Sequence, residues 1–169
     1  MKIRPEIDGL RAVAIIPVLL YHGHLGLSGG FVGVDVFFVI SGYLITALLL
    51  NSVESGRFSM FDFWERRIRR IFPPLAAVLL ASLAVGWLLL LPHDLKMLGE
   101  SVAAQAMLLS NVLFSLQSGY FAEANEFTPL LHTWSLAIEE QFYLFWPLLL
   151  AALARLGRPR LGRFVLLFG

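Results

Sequence analysis

The sequence contains no cysteine and few charged residues. Charged side chains make up 15% of its 169 residues, whereas soluble domains carry about 25%. Without cysteine there is no disulfide framework, no thiolate nucleophile and no cysteine-ligated metal. The sequence also lacks a G-x-S-x-G elbow, a P-loop, a G-x-G-x-x-G turn and an H-E-x-x-H pair. These absences exclude the usual hydrolase, nucleotide and zinc-protease signatures. We expect no metal centre and no permanently bound cofactor.

Apolar residues dominate what is present. They make up 58% of the chain, and the mean hydropathy is +0.76. The runs are long enough to cross a bilayer, which favours an all-α, polytopic transmembrane bundle. Spans are predicted at about residues 10–27, 31–50, 73–91 and 130–156, with a partial fifth span from 161. The net charge of +1 gives no indication of a nucleic-acid partner, and membrane lipid is the expected surrounding.

The first two spans form a predicted hairpin around Ser28-Gly29-Gly30, and this hairpin contains ionisable residues. Arg11 and His22 are eleven residues apart, which places them on one helix face about 16 Å apart along the axis. Asp35 lies as far after the turn as His22 lies before it, so the two are expected at similar depth. Ionisable groups inside a membrane indicate function and usually have a partner. We therefore predict that Asp35 orients His22 as a general base.

Plainer interpretations remain open for each of these groups. His22 could be a structural histidine near the membrane interface, and Arg11 could extend to the cytoplasmic headgroups. His24 points about 200° from His22 on a helix, so the two are a poor metal pair. We interpret His24 as an interfacial polar residue. At the start of the chain, Asp8 is the predicted N-cap of the first helix.

Residues 59–72 combine aromatic side chains with arginines and are predicted to form an interfacial amphipathic helix. Pro73-Pro74 would then begin the third span. The four arginines of this segment are Arg66, Arg67, Arg69 and Arg70. Topology alone explains them, because cytoplasmic loops are rich in positive charge. Guanidinium groups also bind phosphates through paired hydrogen bonds, so a phosphate-rich ligand is the functional alternative.

The basic residues predict the orientation of the chain. If the N-terminus is cytoplasmic, twelve of the thirteen Lys and Arg residues are cytoplasmic, and Lys96 is the exception. A crossing by residues 101–116 would place the arginine cluster after residue 154 on the wrong side. We therefore predict an interfacial or re-entrant helix at 101–116.

A third polar block begins at His132. If it is helical, His132, Ser135, Glu139, Tyr143 and Trp146 share one stripe, and Glu140 lies off that stripe. An interfacial helix can hold such residues without a function. Adjacent glutamates at the head of an apolar run are unusual there, which favours a functional or polar-core role.

Four ordered motifs resemble the acyltransferase-3 family of bacterial membrane O-acyltransferases, which modify sugars of O-antigens, exopolysaccharides and nodulation factors. The motifs read R-P-E-I-D-G-L-R-A-V-A-I, G-G-F-V-G-V-D-V-F-F-V-I-S-G-Y-L-I, F-W-E-R-R-I-R-R-I-F-P and L-L-H-T-W-S-L-A-I-E-E-Q-F-Y-L. Their order and spacing agree up to about Pro147. The similarity covers the N-terminal part of the family, whose members continue into further spans, so C-terminal spans are expected to be required for activity.

The resemblance implies an acyl-CoA donor, usually acetyl-CoA, bound from the cytoplasmic side of the bacterial inner membrane. The acceptor would be a glycan or lipid-linked sugar hydroxyl. The family roles fall on Arg11, His22 and the glutamate of the S-L-x-x-E pattern, Glu139, with the four arginines near the CoA phosphates. Arg11 would stabilise charge on the donor or in the transition state. Two alternatives stay open: a transporter or flippase-like subunit whose buried charges relay protons, and an inactive remnant.

Overall fold

The computed structural model describes residues 5–56, 58–117, 128 and 130–155, and all regular structure in these residues is helical. The helices are α1 (Pro5–His22), α2 (Val32–Glu54), α3 (Met60–Leu89), α4 (Pro92–Ala106), α5 (Ser110–Gln117) and α6 (Thr133–Arg155). The predicted all-α class is confirmed. The predicted partial span from 161 lies outside the described residues.

Three helices in the described part of the chain are long and apolar enough to cross a membrane. They contain the stretches Val32–Val53, Met60–Leu89 and Thr133–Leu153. The first helix, α1, is not among them because Glu6, Asp8 and Arg11 place three charges within its 18 residues.

The chain forms two compact units. One contains the described residues up to Phe58 together with α6 from Leu149 onward. The other contains the described residues of Ser59–Leu148, which include α3, α4, α5 and the larger part of α6.

In the first unit, α1 begins and ends earlier than predicted. It begins at Pro5, a residue suited to the first helical position, so Asp8 lies in the first turn and the predicted N-cap is wrong. It ends at His22, where the Leu25 amide bonds to the Leu20 carbonyl at 2.9 Å and His24 adopts a φ of 53°. This left-handed C-terminal motif ends the helix five residues before the predicted boundary.

Two glycines let α2 lie directly against α1. A Cβ atom at Gly30 would overlap the Pro17 carbonyl, and one at Gly33 would overlap the Ala14 carbonyl and the Val18 side chain. Small residues that permit close backbone approach are a common basis for helix pairing in membranes. The pairing confirms the predicted hairpin and also sets its register, since Gly33 lies at the level of Ala14 to Val18.

In the second unit, α3 is one continuous helix of 30 residues. Ser59 is its N-cap and accepts a hydrogen bond from the Asp62 amide at 3.3 Å. Pro73 and Pro74 lie inside it, so the predicted separation into an interfacial helix and a new span is wrong. Each proline removes one amide donor, but the helix continues through both. The arginines and the apolar stretch therefore belong to the same helix.

The segment after α3 folds into two short helices, α4 and α5. At 15 and 8 residues they extend about 22 Å and 12 Å, too short to cross a hydrocarbon core of about 30 Å. This agrees with the prediction that residues 101–116 do not form a crossing. Leu98 of α4 packs with Leu79 of α3 and with Leu130, and Gly86 admits the Leu98 side chain against α3.

Candidate functional site

His22 is the last residue of α1, and its imidazole is exposed. The Nδ1 atom lies 2.8 Å from the Val18 carbonyl oxygen. A carbonyl oxygen can only accept, so Nδ1 carries the proton and Nε2 is the basic nitrogen. The ring also packs edge-on against Tyr21, with centroids 5.3 Å apart. The imidazole is therefore held in one tautomer with its basic nitrogen available to a substrate.

The structure does not bring Asp35 to His22. The register set by Gly33 places Asp35 near the level of Ala14, about eight residues or 12 Å before His22 along α1. Among the described residues, no ion pair or hydrogen bond joins Asp35 to His22. The prediction assumed a turn centred between residues 28 and 29, but α1 ends at His22 and Gly30 already packs on Pro17. The Val18 carbonyl makes the contact that was predicted for Asp35.

Arg11 lies on the same helix as His22, as predicted. Its side chain is half-buried, and its Nε atom is buried with no hydrogen-bond partner among the described residues. The two residues are separated by about 16 Å along the axis. One small reacting group cannot contact both side chains at once, so any shared substrate has to be extended.

His24 has a conformational role at the end of α1, because its φ of 53° is a position that favours glycine. We expect His24→Gly to leave the free energy of unfolding unchanged or to raise it by a few tenths of a kcal/mol. His24→Val should lower it by about 1–2 kcal/mol, because a β-branched residue fits the left-handed region poorly. Thermal unfolding in detergent measures both changes. Equal stability of the two variants would contradict this role.

In the second unit, side chains of α3 and α6 contact one another. The Arg67 guanidinium lies over the Tyr143 ring, 4.2 Å from its centroid, and 5.8 Å from the Phe63 centroid. The Tyr143 hydroxyl donates a hydrogen bond to the Glu139 carboxylate. The Trp64 indole Nε1 donates to the Tyr143 carbonyl oxygen at 3.1 Å. The third and fourth sequence motifs thus meet, a contact that no sequence spacing indicated.

The predicted arginine quartet is divided by this contact. Arg67 is half-buried, whereas Arg66, Arg69 and Arg70 are exposed. The Arg69 guanidinium pairs with Glu65 one turn earlier at 2.6 Å. On a helix the exposed three fall within about 100° of one another. They form a cationic surface, which we call the exposed arginine face, and Arg67 lies at its edge, about 60° from Arg70 around the helix.

Glu140 lies off the polar stripe that the sequence predicts for α6, and it was not among the predicted site residues. In the structure it is half-buried, and its Oε1 atom is buried with no hydrogen-bond partner in the part of the chain that the structure describes. The pair of adjacent glutamates was the available signal in the sequence for a polar group buried at this position.

A neutral hydrogen-bond network fixes the start of α6 against α4 and α5. The Gln141 Nε2 atom donates to the Leu108 carbonyl at 2.6 Å and to Asn111 Oδ1 at 3.1 Å. Ser110 is fully buried, and its hydroxyl donates to Gln105 Oε1 at 2.6 Å. The network stabilises the turn between α4 and α5 at Leu108, whose φ is 58°. Sequence analysis missed these residues because isolated serine, asparagine and glutamine carry no spacing signature.

A groove of about 580 Å³ lies between α5 and the first turns of α6. Its lining combines aromatic, amide, hydroxyl and aliphatic groups from Asn111, Val112, Phe114, Ser115, Leu116, Leu131, Trp134 and Ile138. None of these side chains is charged, so the groove offers no cation to a phosphate. Anionic ligands are better matched by the exposed arginine face.

The chain belongs to the acyltransferase-3 family. The match to the family, described as an acyltransferase domain, covers residues 4–169. This confirms the family predicted from the four motifs, and the described residues include helices long and apolar enough to span a membrane.

Similar proteins occur in Staphylococcus aureus. A protein of strain MSSA476 named "Putative O-acetyltransferase" is 42% identical over 155 residues, which cover 90% of this chain and 26% of that protein. "O-acetyltransferase OatA" of strain NCTC 8325 / PS 47 is 41% identical over 160 residues, which cover 92% of this chain and 26% of that protein. The chain thus spans about a quarter of the length of these curated relatives. No solved structure matches it significantly.

Proposed function

We propose that the chain carries the N-terminal part of an acyl-CoA-dependent O-acyltransferase of the bacterial inner membrane. It would move an acetyl group from acetyl-CoA to a sugar hydroxyl of a cell-surface or lipid-linked glycan. The observation that carries the proposal is the exposed His22 imidazole, whose Nδ1 is bonded to Val18 at 2.8 Å and whose Nε2 is basic. Family membership over residues 4–169 and the relatives named as O-acetyltransferases support the reaction type.

In the proposed reaction, His22 Nε2 accepts the proton of the acceptor hydroxyl. The hydroxyl oxygen attacks the thioester carbonyl, a carbon–oxygen bond forms and the carbon–sulfur bond breaks. The imidazolium then returns the proton to the departing CoA thiolate. All atoms balance without metal or redox chemistry in this scheme, and no residue becomes covalently modified.

Arg11 is assigned to the donor and not to the reacting carbonyl. It lies about 16 Å from His22 along α1, too far for both to contact one thioester group. The negative charges of CoA lie far from its thioester, at the other end of the pantetheine arm. A donor extended along α1 would place its thioester at His22 and its phosphates toward Arg11, which suits a cytoplasmic N-terminus as predicted from the positive residues.

The test uses membranes from cells that produce the chain, supplied with acetyl-CoA labelled in the acetyl group. We expect label in the glycan fraction, and none when labelled free acetate replaces acetyl-CoA. A second arm supplies the C-terminal spans of a relative, since this chain spans about a quarter of its relatives. Absence of CoA-dependent transfer in both arms contradicts the proposal. Glycan movement without CoA would favour the transporter alternative.

The exposed arginine face is proposed to hold the CoA phosphates. Arg66→Ala and Arg70→Ala should each raise KM for acetyl-CoA about ten-fold with little change in kcat, because a charge-assisted hydrogen bond contributes about 1.5 kcal/mol. The effect should shrink with dephospho-CoA as the carrier and at high salt. Lys96→Ala, a cation outside this face, is the matched control. Unchanged KM in both arginine variants would remove the face from the donor site.

A further inference from the structure

We infer that Arg67 is a positioning residue that acts through Tyr143 on Glu139, and is not a ligand of the CoA phosphates. The inference rests on the proposed acyl transfer, in which Glu139 is one of the implied site residues. Arg67 is thereby separated from the other three arginines, which are proposed to bind the CoA phosphates. Tyr143 becomes a second residue that positions Glu139.

The surroundings of Arg67 differ from those of its neighbours. Its guanidinium contacts two aromatic rings, 4.2 Å from the Tyr143 centroid and 5.8 Å from that of Phe63. Phe63 is only 4% exposed, so one of the two rings that contact this guanidinium is buried. A guanidinium over an aromatic face is attracted by the ring quadrupole, more strongly as water is excluded. A phosphate could reach Arg67 only at the edge of the guanidinium, beside the rings that cover its faces, whereas Arg66 and Arg70 are exposed.

Tyr143 is held at three points and is 3% exposed. Arg67 covers its ring, Trp64 donates to its carbonyl oxygen at 3.1 Å, and its hydroxyl donates to Glu139. Glu139 and Tyr143 are one turn apart on α6, so the hydroxyl reaches the carboxylate without bending the helix. The position of the Glu139 carboxylate therefore depends on a ring whose own position depends on α3.

The first experiment compares Arg67→Met with Arg70→Met in the acetyl-transfer assay. Arg67→Met should lower kcat by about ten- to a hundred-fold and leave KM for acetyl-CoA within about two-fold, since misplacement of a site residue by about 1 Å has effects of that size. Arg70→Met, the same substitution on the exposed face, should raise KM instead. Arg67→Lys should retain most of kcat, because an ammonium can also lie over the ring. A rise in KM with preserved kcat in Arg67→Met would overturn the inference.

The second experiment asks whether Arg67 acts through Tyr143. Tyr143→Phe keeps the ring under Arg67 and removes the hydroxyl that bonds to Glu139. If the two residues form one chain of contacts, the double variant should lose little more kcat than Arg67→Met alone. If the fold-loss of kcat in the double variant equals the product of the two single losses, the residues act independently and the inference is overturned. Thermal unfolding of the same proteins, with Arg67→Lys as the conservative variant, separates misfolding from misplacement.

The two hypotheses fail in different ways. An inactive wild-type chain in both arms of the transfer assay overturns the proposed function, and the positioning role of Arg67 falls with it. An active wild type in which Arg67→Met behaves like Arg70→Met overturns the positioning role alone.

Discussion

Replacing His22 by alanine is expected to lower kcat for acetyl transfer by about two to four orders of magnitude, the usual contribution of a positioned general base. Alanine removes both the Nε2 atom that would accept the hydroxyl proton and the Nδ1 contact to Val18. The side chain is exposed, so its loss creates no cavity and should leave the amount of protein in the membrane unchanged. The assay is label transferred per unit of membrane protein.

Two further variants sharpen this result. His22→Asn can still donate to the Val18 carbonyl but has no basic nitrogen, so it should be as inactive as His22→Ala. His24→Gly lies two residues away and should keep full activity. Substantial transfer by His22→Asn would show that His22 is structural, the plainer interpretation that its position near the end of a helix allows.

Gly33→Ala is expected to destabilise the first unit by about 3 kcal/mol, the upper part of the range for overpacking. Its Cβ would overlap the Ala14 carbonyl, which is backbone and cannot turn aside. The helices α1 and α2 would have to move apart, and the register that places His22 at the end of the hairpin would change. Thermal unfolding in detergent and the amount of protein in the membrane measure the loss.

Gly42 of the same helix is the matched control. A Cβ there would meet nothing within 4 Å, so Gly42→Ala should be neutral or stabilising by up to about 1 kcal/mol through helix propensity. The same substitution is therefore expected to lower the free energy of unfolding at Gly33 and to leave it unchanged or raise it at Gly42. Similar melting temperatures for both variants would show that α1 and α2 do not depend on close approach at Gly33.

Much of the fold was predictable because long apolar runs have few alternatives to helices in lipid. The prediction failed where a local signal was overridden. Pro73 and Pro74 read as a boundary, yet α3 continues through them. Asp35 read as the partner of His22 because the turn was taken as symmetric, whereas the glycine contacts shift the register. Boundaries and register depend on which surfaces pack, and a single sequence does not contain that information.

The sequence by itself determined the helical class, the family and the residues on which chemistry can rest, because composition and ordered motifs are properties of the chain. Tertiary structure decided how those residues are grouped. It gave His22 a backbone carbonyl as its partner, separated Arg67 from three similar arginines and joined it to Tyr143 and Glu139. The physical reason is that side chains on different helices meet only when burial and close packing fix the rotation and depth of each helix.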